Sequence, residues 1–141
     1  PMPHTDTIPV SASIASTGTG IRYIGEHCYA YSGEQIISNA IVTMLEFVSG
    51  SGLIFAKLYQ TANYYSIDSG QAAGFYIYLN DILIIRNYER IRVGGDYENM
   101  APQSIEFIIP PFTKVKTQAQ TDDTSNNSFF QTLTGRVYGA E

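Results

Sequence analysis

Residues 108–120 read "IIPPFTKVKTQAQ". Pro110 and Pro111 have no N–H to offer a ladder, so neither lies inside a central strand. The residue before a proline is also pushed toward extended geometry. Upstream, "SIEFII" reads as a strand. Downstream, "FTKVKTQAQ" resumes period two, with Val115, Thr117 and Ala119 on one face and Lys114, Lys116, Gln118 and Gln120 on the other. A chain that is extended on both sides of a point where it cannot pair is crossing between sheets. The stretch predicts the corner of a β-sandwich.

The same punctuation continues outward from that corner. "IRYI" and "CYAY" are separated by Gly25 and Glu26, and "TMLEFV" runs into the turn cluster "SGSG" at residues 49–52. "LIFAKLYQ" follows at once, so those two runs predict a hairpin. In "GFYIYLNDILII", Phe75, Ile77 and Leu79 share one face and Tyr76, Tyr78 and Asn80 the other. Asn80 and Asp81 predict a bulge or tight turn within that ribbon. "VGGDYENMAP" reads as a loop and "TDDTSNNS" as a polar hairpin loop. "FFQTLTGRVYG" then closes the domain with Phe129, Leu133 and Val137 on one face.

One segment fits two periods. In "QIISNAIVTML", Ile36, Ile37, Ala40, Ile41, Met44 and Leu45 also match a helical repeat, and Ser38 or Asn39 could cap it. The β-branched Ile36, Ile37, Ile41 and Val42, and the lack of stabilising Glu, Lys or Gln pairs, favour a strand. The pattern therefore predicts an all-β domain over residues 21–141, a sandwich or barrel of about eight antiparallel strands. Residues 1–20, rich in Pro, Ser and Thr, predict an extended N-terminal arm. No fixed-period repeat suggests a propeller or solenoid.

Composition narrows the function. The 141 residues suffice for one domain that buries roughly 68% of its unfolded surface. Only 15% are charged, against about 25% on average, and 11 Tyr and 7 Phe accompany no Trp. Such a chain suits half-buried strands and surfaces that meet protein. The net charge of −5, with 8 Lys and Arg, lacks the basic footprint of a nucleic-acid binder. Arg86, Arg90 and Arg92 are interrupted by Glu89 and followed by Asp96 and Glu98, which reads as a solvated strand end or an interface. The lone Cys28 excludes an internal disulfide framework. "PMPHTDTIPV" does not resemble a signal peptide, and its first residue is what removal of an initiator Met leaves. No apolar run approaches the ~20 residues of a membrane helix. Synthesis in a cytoplasm is expected.

Chemistry is hard to find. His27 and Cys28 are adjacent, but consecutive strand residues face opposite ways, so the pair cannot act as base and nucleophile. Two His and one Cys give no zinc spacing. Asp122, Asp123, Asn126 and Asn127 are oxygen donors of the kind calcium accepts, yet hairpin loops use the same residues to bond their own backbone. "STGTG" and "SGSG" lack the Lys-Ser/Thr of a phosphate loop, and no G-x-S-x-G elbow occurs. The aromatic run "YQTANYYSIDSG" offers Tyr59, Tyr64, Tyr65 and Asp68 as interface or glycan contacts, with cross-strand packing as the plainer reading. No catalytic, cofactor or metal residue is assigned.

The order "TMLEFVSGSGLIFAKLYQTA", "AGFYIYLNDILI", "EFIIPPFTKVKTQAQ" and "FFQTLTGRVYG" resembles the single jelly-roll proteins of virus particles, over roughly residues 29–138. The likeness is strongest to head decoration and minor capsid proteins of tailed bacteriophages. It implies a jelly-roll β-sandwich with no enzymatic activity and no cofactor. It further implies a homotrimer that cements a major capsid protein on the virion surface, without nucleic acid or membrane as partner. The alternative is a carbohydrate-binding module that takes surface glycans through Tyr59, Tyr64, Tyr65 and Asp68.

Overall fold

The computed structural model describes residues 20–62, 71–90 and 103–139. The segments holding Tyr64, Tyr65, Asp68, Arg92, Asp96 and Glu98, and the N-terminal arm up to residue 19, lie outside the described residues. Among the described residues there are ten strands: β1 Arg22–Ile24, β2 His27–Tyr31, β3 Gln35–Ile37, β4 Ala40–Val48, β5 Leu53–Ala62, β6 Ala72–Leu79, β7 Ile82–Arg90, β8 Gln103–Ile109, β9 Lys114–Thr121 and β10 Asn127–Tyr138. One sheet runs β1-β2-β10-β5-β8, with β3 also on β10, and the other runs β4-β9-β6-β7. All pairings are antiparallel. A six-stranded and a four-stranded layer, between which the chain crosses repeatedly, make a jelly roll. The count exceeds eight for two reasons. β2 and β3 are halves of one strand along β10, interrupted at Ser32, and β1 is an added hairpin partner of β2.

The crossings are stapled to one another at both ends of the sandwich. Pro110 and Pro111 do carry the chain from β8 in one sheet to β9 in the other, as their chemistry requires. Beside them, residues 49–52 carry β4 to β5. That turn is a crossing and not the hairpin its composition suggests, because β4 pairs with β9 while β5 pairs with β10 and β8. Ser49 N–H donates to Thr113 O (2.9 Å), Thr113 N–H donates to Ser49 Oγ (2.8 Å), and Ser49 Oγ–H donates to Pro110 O (2.9 Å). The buried Tyr23 hydroxyl accepts from Gly50 N–H at 3.1 Å. At the far end, "TDDTSNNS" is likewise a crossing, from β9 to β10, instead of a hairpin loop. Asn39, at φ 48°, turns β3 into β4 and donates its N–H to Asp123 O (2.8 Å).

"QIISNAIVTML" is extended, as its β-branched residues favour, but it is divided at Ser38 and Asn39 between two sheets. A bulge between Thr43 and Leu45 turns both Met44 and Leu45 inward. Asn80 and Asp81 both have positive φ and close the β6–β7 hairpin tightly. A register shift after Ile77 leaves Ile84 as the extra residue of a bulge nearby.

Phe47, Phe75, Phe129, Leu58, Ile77, Ile109 and Leu133 fill the space between the layers. Two glycines are required by close approach. A Cβ on Gly74 would lie 1.8 Å from Asn87 O, and one on Gly135 would lie 2.6 Å from Ile54 Cγ2. Within the core runs a polar ladder. Gln131 Nε2 donates to Gln60 Oε1 (2.8 Å) and Gln118 O (3.2 Å), while Thr117 Oγ1–H donates to Gln131 Oε1 (2.5 Å). Gln60 Nε2 donates onward to Gly74 O at 3.0 Å. These bonds join the two layers and satisfy amides that burial would otherwise penalise.

Candidate functional site

The outer face of the six-stranded sheet holds a groove of about 760 Å³. Strand register builds it from two rows. One row runs Tyr29, Thr134, Lys57, Glu106 across β2, β10, β5 and β8, and the other runs His27, Arg136, Phe55, Ile108. Side chains one row apart on the same face are neighbours, so residues far apart in sequence line one cleft. Phe55 and Ile108 remain 50% and 52% exposed, where an outward sheet face is ordinarily polar. The Phe55 ring packs on Tyr138 with centroids 4.9 Å apart.

Cations edge this apolar floor. Arg136 lies 5.3 Å from the Tyr138 ring and donates from Nη2 to Glu26 at 2.9 Å. Lys57 Nζ stands 4.9 Å from the centre of the Tyr59 ring. The opposite face of the sandwich repeats the device: Lys116 sits over Tyr78 at 4.7 Å, and Arg86 lies beside both Tyr76 and Tyr88. Arg90 meets Asp122 at 3.7 Å. Arg86 and Arg90 are therefore engaged with aromatic rings and a carboxylate. Burial, and then the nearby Asp122 carboxylate, raise the Tyr88 phenol above its ordinary value.

Of the sequence-predicted contacts, Tyr59 sits on the outer face beside the groove, in the row of Tyr31, Thr132 and Ser104. Phe55, Tyr29 and Ile108 were not singled out by sequence reasoning. The available signal was β5 itself, where the outward Phe55 and Tyr59, on either side of Lys57, are aromatic although the inward Ile54, Ala56 and Leu58 already supply the core face. His27 is exposed and Cys28 is wholly buried on the opposite face, so the two do not meet. Burial pushes the Cys28 thiol up to about 12, which leaves no thiolate near neutrality. Asp123 Oδ1 accepts from Ser125 N–H and Oγ–H, the local bonding that loop carboxylates favour. Among the described residues no group of three or more His, Cys, Asp or Glu is placed to hold a metal.

No protein-family model matches the chain, and no curated protein does. Among solved structures, it is similar to VP2 of infectious bursal disease virus in its subviral particle, with a TM-score of 0.50 and 12% identity. That match covers 92% of this chain and 38% of the VP2 chain. A structure of the Gx strain of the same virus gives a TM-score of 0.47 and 14% identity, over 90% of this chain and 36% of that one. The chain thus spans well under half the length of either neighbour. At such identities the likeness is one of fold: the chain is an antiparallel jelly-roll sandwich of the kind found in a viral capsid protein.

Proposed function

We propose that this chain is a structural subunit of a virus particle, held to other capsid subunits by protein–protein contact. The observation that carries the reading is the apolar outer face of the six-stranded sheet, where Tyr29, Tyr31, Phe55, Ile108 and Tyr138 stand exposed. An aromatic-rich face edged by Arg and Lys is the composition of a protein interface. The fold shared with a capsid protein supports the class. In its finer form, the subunit is a decoration or cement protein, or a minor capsid protein, that sits as a homotrimer on the capsid surface and performs no chemistry. That form rests on the resemblance of its sequence elements to head decoration and minor capsid proteins of tailed bacteriophages.

A second reading has one observation in its favour. The groove sets Lys57, Arg136 and Glu106 beside Tyr29 and Phe55, and charged groups next to aromatic faces also suit sugar rings. Light scattering across a dilution series tests the first reading. A trimer that survives dilution supports it. A monomer at every concentration that captures glycans on an array replaces it with the second.

A further inference from the structure

The groove on the outer face of the six-stranded sheet opens beside the point where residues 1–19 join the fold. Ile21 is buried in the core, and Arg22 pairs with Tyr29, which lines the groove. The chain therefore enters the sheet at a fixed place on its β1 edge. From that edge to β8 is four strand spacings, about 19 Å at ~4.8 Å each. Extended chain from Val10 to Gly20 spans up to about 33 Å. The segment that precedes β1 reaches every part of the groove with length to spare.

Its composition suits the site. Lys57 and Arg136 are balanced by Glu106 and by Glu26, which accepts from Arg136 at 2.9 Å, so with His27 neutral the groove has no net charge to offer an ionic partner. Residues 7–20, "TIPVSASIASTGTG", carry no charge either, and Ile8, Pro9 and Val10 are their most apolar run. Proline-containing segments dock in aromatic-lined grooves, and Tyr29 and Phe55 supply the rings. A segment on the same chain also acts at an effective concentration of roughly millimolar, which a free second copy at micromolar concentration does not match. We infer that Ile8, Pro9 and Val10 lie across the groove of their own chain, packed on Tyr29, Phe55 and Ile108, and cover it until that face meets a partner subunit. The cover is an intramolecular contact and stands apart from the particle reading. Its displacement by a partner rests on the function proposed above.

The test is disulfide trapping in the whole chain. Thr7→Cys is combined either with Thr134→Cys, in the groove, or with Thr43→Cys, which register places on the outer face of the other sheet. Cys28 is buried and takes no part. In dilute glutathione buffer the groove pair should close within one chain roughly 30-fold faster than the control pair. Adding Val10→Asp should bring it down to the control rate. Equal closure of the two pairs, or closure of the groove pair mainly between chains, overturns the cover. Sedimentation equilibrium then tests the displacement. Val10→Asp, with its groove uncovered, should self-associate about 10-fold more tightly than wild type, because no cover has to leave first. Unchanged self-association in a chain that does oligomerise overturns the displacement. If wild type and Val10→Asp both stay monomeric, the self-association reading fails and the displacement with it, whereas preferential closure of the groove pair still upholds the cover.

Discussion

Gln131→Leu isolates the polar ladder inside the sandwich. Gln131 is fully buried, and its amide is the one group bonded to Gln60, to Thr117 and to the Gln118 carbonyl together. Leucine fills a similar volume but offers no hydrogen bond. Gln60 Oε1 then loses its donor and the Thr117 hydroxyl loses its acceptor. Each buried polar group left without a partner costs about 1–3 kcal/mol, so the pair costs about 4 kcal/mol. The added apolar burial returns about 1 kcal/mol. The expected net loss is about 3 kcal/mol, and at roughly 2–4 °C per kcal/mol the melting temperature falls by about 10 °C. With no Trp in the chain, urea unfolding is followed by tyrosine fluorescence and far-ultraviolet circular dichroism. The sharper test is Thr117→Val on top of Gln131→Leu. Removing the orphaned hydroxyl should restore about 1 kcal/mol, although Thr117→Val alone is destabilising because it strands Gln131 Oε1. A Gln131→Leu variant within about 0.5 kcal/mol of wild type, or a double variant whose loss equals the sum of the singles, refutes the reasoning.

Other perturbations follow from the same packing. Gly74→Ala places a methyl 1.8 Å from the backbone oxygen of Asn87 and should cost at least about 3 kcal/mol in urea unfolding. Gly135→Ala, whose nearest neighbour is the side chain of Ile54, should cost less, and the reverse order would contradict the model of β7 held against Gly74. Cys28 should resist thiol reagents at pH 8 until urea unfolds the chain; prompt labelling of the native protein would place it outside the core. Burial raises the Cys28 thiol from its ordinary 9.0 to about 12 and the Tyr23 phenol from 10.0 to about 12. The folded state therefore keeps protons that the unfolded chain releases. Their contribution to stability is fully present below pH 9 and is lost as pH climbs from about 9 to about 12. The urea midpoint should fall across that window and fall less in Cys28→Ala.

Much of this molecule is local in origin. The alternation of Val115, Thr117 and Ala119 with Lys114, Lys116 and Gln118 dictates which side of β9 is buried, because a strand has period two whatever it pairs with. Pro110 and Pro111 force a break in pairing for the same kind of reason, since the missing N–H belongs to the residue and not to its neighbours. Partner choice is different. "SGSG" and "TDDTSNNS" carry the chemistry of a reversing chain, but that chemistry is the same whether the next strand joins the same sheet or the facing one. Only the long-range pairing of β4 with β9 and of β10 with β5 decides. The interior is likewise half written in the chain: alternation with Phe129 and Leu133 puts Gln131 on the core face, yet its side-chain partners come from two other strands, β5 and β9. The groove is wholly tertiary. Phe55, Ile108, Arg136 and His27 lie in one row because antiparallel register aligns four strands that the sequence keeps apart, and no local pattern encodes a register.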